Sequence, residues 1–424
     1  MLNNSFRDAL ELMENSESSL FITGRAGTGK STLLKLFKTT TKKNVVVLAP
    51  TGVAALNVGG QTIHSFFKFP PRLLEKSGIN KLKYRKLYTK LDIIVIDEIS
   101  MVRADMLDNI DYFLQVNRGN PLPFGGVKMI FIGDLYQIPP VVKQGFEMQY
   151  LAERYETPYF FSSNVLSDRD FPLELLELHE IFRQEDKMFI NLLESIRTND
   201  VDFDILEQLN SRHIIDYTLD DGYIILSSRN NQVNKINKDK IDALPYSNIY
   251  YQAEITGEFP ESIFPTDAIL TLKEGAQVMF IRNDTEKNYV NGTIGTIKSL
   301  TPDKIMVEIA SKNETKTIEV AKETWDNIKY SFDDKDSISE DIVGTFKQYP
   351  LKLAWAITIH KSQGKTFDNV IIDMSAGAFT HGMTYVALSR CTSLEGIILK
   401  APLKPSDIIV DENIVSYLET MRRY

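Results

Sequence analysis

The stretch SLFITGRAGTGKSTLLKLFK, residues 19–38, decides the fold. A short β-favouring apolar run enters Gly24-Arg-Ala-Gly-Thr-Gly29-Lys30-Ser31, and Ser31-Thr-Leu-Leu-Lys-Leu-Phe-Lys38 then has helical spacing. Strand, glycine-rich turn and helix together make a phosphate cradle. The glycines let backbone amides wrap the phosphates, the helix N-terminus favours negative charge, and a lysine reaches the outer phosphates. The expected nucleotide contacts are therefore Gly24, Ala26, Gly27, Thr28, Gly29, Lys30, Ser31 and Thr32, with the Ser31 hydroxyl on magnesium. An ordinary glycine-rich turn would not need all three parts.

Outward from that point, β-rich apolar runs at 44–49, 91–96 and 128–133 alternate with amphipathic helical stretches. Strands alternating with helices predict a parallel α/β sheet covered on both faces. The pattern restarts after Phe171-Pro172: runs at 173–178, 223–226, 353–359, 369–373 and 395–399 read as five strands of a second α/β domain. Between 271 and 345 the texture changes. Runs at 277–281, 292–298 and 304–309 read as strands without helices between them, and Asn291-Gly292 is a turn signal. The expected fold is α/β: a first domain over 1–172 with a small wedge-like insertion near 60–90, a second over 173–270 and 346–424, and a small β-barrel inserted at 271–345. The acidic run 332–341 reads as a solvated loop.

The run LDIIVIDE ends in Asp97-Glu98. An apolar strand ending this way sets Asp97 beside magnesium and lets Glu98 polarise an attacking water, so the pair implies hydrolysis as well as binding. Acids also end strands simply to stay wet; the phosphate loop is what favours the catalytic reading. A GTPase would carry Asn-Lys-x-Asp, and that tetrapeptide is absent. Gly364-Lys365-Thr366 resembles the end of a second phosphate loop, but Ile359 stands where its first glycine should be. One complete cradle and one incomplete one suggest ATP in a cleft between two domains.

Composition narrows the class. The chain has 424 residues, 43% hydrophobic and 25% charged, with a formal charge of −9. That balance is globular, and it argues against an all-basic surface while leaving room for a local basic groove. One cysteine, Cys391, excludes an internal disulfide framework and fits a reducing compartment. No run approaches the ~18 apolar residues of a membrane span, and the N-terminus is acidic where a signal peptide is basic. A cytoplasmic or nucleoid-associated location, with no membrane partner, is expected. The five histidines and the cysteine have no zinc-ligand spacing, leaving magnesium as the expected metal.

In order along residues 15–400, the segments resemble the motifs of superfamily-one helicases of the B type, in the Pif-one-like branch related to RecD. Residues 49–55 (APTGVAA) resemble motif Ia, Asp97-Glu-Ile-Ser motif II, and 133–141 (GDLYQIPPV) motif III. Residues 179–184 (HEIFRQ) resemble motif IV, 357–364 (ITIHKSQG) motif V, and 385–390 (YVALSR) motif VI. The resemblance implies two RecA-like domains and an ATP-driven DNA helicase moving 5′ to 3′ on single-stranded DNA. Lys30, Asp97, Glu98, Gln137, Arg183 and Arg390 would be its catalytic set. Gln137 would sense the terminal phosphate or attacking water, Arg183 and Arg390 would serve as arginine fingers, and Gly364 would border the nucleotide. The family's adenine-reading glutamine ahead of the cradle is missing, because the first glutamine is Gln61. Asn3 or Asn4 is the nearest substitute.

For DNA, Thr51 and Gly52 follow a strand and can grip a phosphate. His64 and Phe66 are expected to face bases, and Phe67 to be core. Base stacking contributes ~1–3 kcal/mol per base whatever the sequence. Thr358, His360, Lys361 and Ser362 are placed by the resemblance between DNA and ATP. The basic, tyrosine-bearing run 81–90 has two readings, a DNA contact or a solvated helix face. Expected partners are single-stranded DNA and forks, with structured DNA and RNA–DNA hybrids as further candidates, and the chain is expected to act as a monomer. Two alternatives stay open: a RecD-like motor subunit of a nuclease complex, and an ATP-switched DNA-binding scaffold that does not move.

Overall fold

The computed structural model describes residues 4–167, 171–214, 222–284, 286, 288–310, 315–332 and 338–423. Its first sheet has six parallel strands in the order β3-β2-β4-β5-β1-β6. These are β1 (Ser19–Gly24), β2 (Val45–Ala49), β3 (Gln61–Thr62), β4 (Ile93–Ile96), β5 (Lys128–Ile132) and β6 (Leu173–Leu178). Successive side chains of the inner strands feed opposite faces, as the two-residue period requires. Leu20, Ile22, Val47, Ile93, Val95, Ile130 and Ile132 share one core with α1 (Asn4–Asn15), α2 (Lys30–Thr40) and α3 (Gly52–Val58). Phe21, Val46, Leu48, Ile94, Ile96 and Phe131 face the other core, with α4 (Ile63–Phe67) and α6 (Ala104–Arg118). Both faces of the inner strands are buried, so those strands read as nearly unbroken apolar runs.

Two segments expected in the second domain belong to this first lobe. β6 pairs with β1 along its whole length, from Ser19 opposite Leu173 to Gly24 opposite Leu178. The far C-terminal helix α13 (Glu412–Arg423) also returns to it. Tyr417 stacks on Phe161 at 4.3 Å, and Arg422 donates two hydrogen bonds to Glu177 on β6. The boundary expected at 172/173 is therefore misplaced for β6. The basic run 81–90 is not one helix face: only α5 (Lys86–Thr89) is helical, and its Tyr88 is buried, donating to the Phe66 carbonyl.

The second sheet is parallel, in the order β18-β7-β19-β20: Ala356–Thr358, Ile224–Ser227, Val370–Asp373 and Ile397–Leu399. α7 (Phe146–Ala152) and α8 (Asn164–Ser167) complete the first lobe. The second carries α9 (Lys187–Thr198), α10 (Phe203–Asn210), α11 (Asn230–Ala243) and α12 (Met383–Leu388). The run read as one strand at 353–359 splits in two. β17 (Leu351–Leu353) pairs antiparallel with β11 (Gln277–Phe280) outside this sheet, and only β18 joins it.

Between β7 and β18 lies β-rich structure that is more than the small barrel expected. An antiparallel sheet runs β14-β13-β12-β11-β17, using Thr315–Val320, Lys304–Ala310 and Ile294–Thr301 for β14, β13 and β12. β8 (Ile249–Gln252) pairs with β10 (Ile269–Leu272). A third sheet joins β9 (Glu254–Gly257) to a long hairpin of β15 (Glu323–Phe332) and β16 (Ile338–Gln348). The acidic run expected to be a loop thus contributes to two strands, while 333–337 lie outside the described residues.

That hairpin reaches back onto the first lobe. The Tyr330 ring lies 6.0 Å from Phe66, its hydroxyl accepts from the Val47 amide at 3.1 Å, and Lys38 pairs with Glu340 at 2.7 Å. At the start of the inner strand β5, the Lys128 ammonium donates to the carbonyls of Leu12, Met13 and Ser16 at 2.7–2.9 Å, satisfying the end of α1. Lys128→Met should lower the urea unfolding midpoint by the equivalent of about 1–3 kcal/mol and speed amide exchange in α1. Unchanged exchange in α1 would refute the capping role.

Candidate nucleotide site and strand track

The cradle forms at the carboxyl end of β1, where open parallel sheets bind ligands. Gly27 and Gly29 take φ of +85° and +81°, a region that side chains resist, and α2 opens immediately afterwards. The Lys30 ammonium donates to the Gly24 and Arg25 carbonyls at 2.7 and 2.9 Å. Burial lowers its pKa, opposed by Asp134 and Glu98. Ser31 and Thr32 lie exposed on the first turn of α2.

Asp97 and Glu98 follow β4. Burial, then the neighbouring Glu98, raises the Asp97 carboxyl well above the usual range; burial also raises Glu98, against the pull of Lys30 and Arg390. Glu98 has φ 53° and ψ 44°, a left-handed conformation that costs a non-glycine residue about 1–3 kcal/mol and persists where surrounding structure enforces it. A buried carboxyl and a half-buried one beside it, with open hydroxyls at the head of α2, form a donor set suited to a hard divalent cation.

The second lobe closes over this site. The backbone amide of Phe182 donates to the Gly27 carbonyl at 2.9 Å, and a Cβ on Gly27 would lie 2.6 Å from that of Arg183. Arg183 donates to the Ser389 carbonyl at 3.1 Å. Arg390 is fully buried and bonds to the Val386 carbonyl and the Ser389 hydroxyl, at 3.0 and 2.9 Å. Burial, then Arg390, lowers the pKa of Arg183, so two cations share this side of the cleft. The Tyr385 hydroxyl accepts from the Ala26 amide at 2.9 Å, tying motif VI to the cradle. Gln137 donates to Asp134 at 3.2 Å and its carbonyl oxygen accepts from Gln363 at 3.4 Å. Gly364 has open space where a Cβ would stand. Lys365 instead bonds to Asn291 at 3.0 Å, and Gly292 packs on the Thr366 carbonyl. The incomplete second cradle is thus committed to a structural turn.

The strand-track residues divide. Thr51 caps α3 by accepting from the Ala54 amide at 3.2 Å, and Gly52 lies directly under Ile263. His64 is half-buried on α4. Phe66, expected to face a base, is 3% exposed and packs edge-on against Phe67, Tyr88 and Tyr330, so it is a core residue. Ser362 is corrected likewise: it is wholly buried and donates to the Ile359 carbonyl at 2.7 Å. Thr358 is buried and accepts from the Lys361 amide at 3.3 Å. Lys361 is exposed, and His360 stacks on Phe379, itself 59% exposed. Asn3 and the Asn4 side chain lie outside the described residues; Gln61 bonds to Ser65 and Tyr330, away from the cradle.

Sequence reasoning missed four residues here. Tyr385 and Gln363 sat inside quoted motifs without a role. Phe182, 57% exposed, stands 3.5 Å from a Cβ placed on Gly29. Arg197 had a signal: Phe189, Leu192, Leu193, Ile196 and Arg197 form one buried stripe, and a charge on such a stripe calls for a partner.

The model of the PIF1-like helicase family matches residues 1–204, and that of the UvrD-like helicase C-terminal domain matches 353–394. The ATP-dependent DNA helicase Pif1 of Bdellovibrio bacteriovorus is 32% identical over 421 residues, 96% of this chain and 90% of that protein. A crystal structure of Bacteroides sp Pif1 with ADP-AlF4 is 38% identical with TM-score 0.91, over 100% of this chain and 97% of that one. The Bacteroides Pif1 structure with ADP-AlF3 and ssDNA, also 38% identical and covering 100% and 98%, has TM-score 0.71.

Gly382 starts α12 with φ +70°, and a Cβ there would collide with the Tyr136 and Gln137 carbonyls of motif III. Gly382→Ala should therefore lower kcat for ATP by about 10²-fold, since an ångström of misplacement can cost that much. A steady-state ATPase assay with undiminished kcat would show that this contact does not set the geometry.

Proposed function

This chain belongs to the PIF1-like helicase family, and from that premise we propose how it works as an ATP-dependent DNA helicase. The observation that carries the reading is the seam itself, where one complete phosphate cradle meets two arginines from the other lobe. In the proposed cycle the Gly24–Thr32 amides and Lys30 hold the phosphates of ATP. Phe182 offers an apolar wall to the base in place of the missing glutamine. Arg183 and Arg390 turn from their carbonyl partners toward the terminal phosphate, a role that contributes about 10³–10⁵ in rate in GTPases. Glu98 accepts the proton of the attacking water, and Gln137 orients that water. Ser31 and Asp97 would hold magnesium, which when bound neutralises charge on the outer phosphates.

Single-stranded DNA is the proposed track, gripped at Thr51–Gly52 on one lobe and at His360, Lys361 and Phe379 on the other. Closing and opening the cleft shifts one grip past the other, in the 5′-to-3′ sense. Ile263 and the β15–β16 hairpin lie against the first-lobe grip, so strand entry requires that β-rich unit to move. The lower TM-score to the ssDNA-bearing neighbour supports such a movement.

ATPase activity should rise at least tenfold with single-stranded DNA, and Glu98→Gln should keep nucleotide binding while losing turnover. Equal hydrolysis with and without the strand would favour the scaffold reading instead. Among tailed duplexes, only the 5′-tailed one should open; opening of the 3′-tailed form alone would reverse the polarity.

A further inference from the structure

Arg197 lies on α9, 13 residues beyond motif IV, and is 3% exposed. Its guanidinium donates to Asp134 Oδ1 at 3.3 Å and sits over the Tyr136 ring at 4.2 Å. Asp134 is 1% exposed. The same carboxylate accepts from the Tyr136 amide and from the Gln137 side-chain amide, each at 3.2 Å. One helical turn earlier, Glu194 pairs with Arg197 at 3.5 Å and with Arg25 of the cradle at 2.8 Å. α9 packs on α12 of the second lobe, whereas Asp134 and Arg25 belong to the first.

We propose that Arg197 is a positioning residue for hydrolysis: it holds the Asp134 carboxylate, Asp134 holds the Gln137 amide, and so the second lobe aligns the group that faces the attacking water. Gln137 has one amide and few ways to be oriented. With its NH2 bonded to Asp134, its carbonyl oxygen is turned toward Gln363 of motif V. Without Arg197, a buried carboxylate would lose its only side-chain cation within 4 Å among the described residues and would seek water or another donor. The Gln137 amide would then lose its fixed partner. Arg25 and Glu194 extend the same helix end to the cradle, so α9 touches both the phosphate-binding loop and motif III.

This inference rests on reading Gln137 as the group that orients the water. It is tested by a double-mutant cycle on the full chain, using Arg197→Met, Gln137→Ala and the double variant. kcat for strand-stimulated ATP hydrolysis is measured per active site, alongside the Kd of a fluorescent ATP analogue. Arg197→Met should lower kcat at least 10-fold with less than 3-fold change in Kd. Added to Gln137→Ala, it should cause no further loss of kcat. A purely structural residue would lower the folded fraction but leave kcat per active site intact, and that result overturns the proposal. Multiplying losses in the double variant also overturn it, because Arg197 would then act independently of Gln137. If Gln137→Ala itself keeps full kcat, the reading of Gln137 falls and the relay falls with it. Arg197→Lys keeps the charge but lacks the planar fork. It should recover part of kcat and serves the same cycle if the methionine variant does not fold.

Discussion

The pairing of Asp134 with Arg197 across the seam is the constraint around which the two lobes are arranged. A carboxylate 1% exposed and a guanidinium 3% exposed can each be buried only because the other is there. Burial works against the charge of both, yet each holds the other ionised. Removing one partner of such a pair typically costs 3–5 kcal/mol. The lobes therefore cannot part at this point without admitting water to both groups. Around the pair, uncharged contacts set the register. Tyr385 meets the Ala26 amide, Phe182 the Gly27 carbonyl, and Gly382 the carbonyls of motif III. The seam is held by charge and aligned by short backbone approaches.

This arrangement explains why the groups proposed to act on ATP are so perturbed. Asp97 and Arg390 are buried, Lys30, Glu98 and Arg183 half-buried, and the pKa values of all five move toward neutrality. Perturbed groups gathered in one cleft are what a site for a highly charged substrate needs, since the ligand supplies the charges that the protein withholds. The same logic sets the second lobe apart. Its Lys365 is buried too, but Asn291 already partners it.

Much of this could be read from the chain because it is local. The cradle needs neighbours within eight residues, and the carboxylate pair needs only the strand before it. What could not be read was pairing at a distance. The run 173–178 announces a strand but carries no mark of which sheet accepts it. The hairpin strand β15 was hidden by a bulge at Asn327/Ile328. Its buried residues Trp325, Ile328 and Tyr330 fall at spacings of three and two, so the alternation that signals a strand is broken. Phe66 was misread for a related reason. Its motif context suggested a base, while the ring that covers it, Tyr330, comes from 264 positions later in the sequence. Arg197 was legible in principle, as a charge on an apolar stripe.

The return of α13 to β6 has a consequence for how the protein is made. The first lobe acquires its edge strand at residues 173–178, but the helix that covers it is synthesised only after the whole second lobe. A ribosome would thus release a nearly finished N-terminal lobe with Phe160 and Phe161 still lacking Tyr417. Final closure must wait for contacts some 250 residues apart, which places the last step of folding among high-contact-order events. Until then the nascent chain carries an uncovered aromatic face, the kind of surface that chaperones shield.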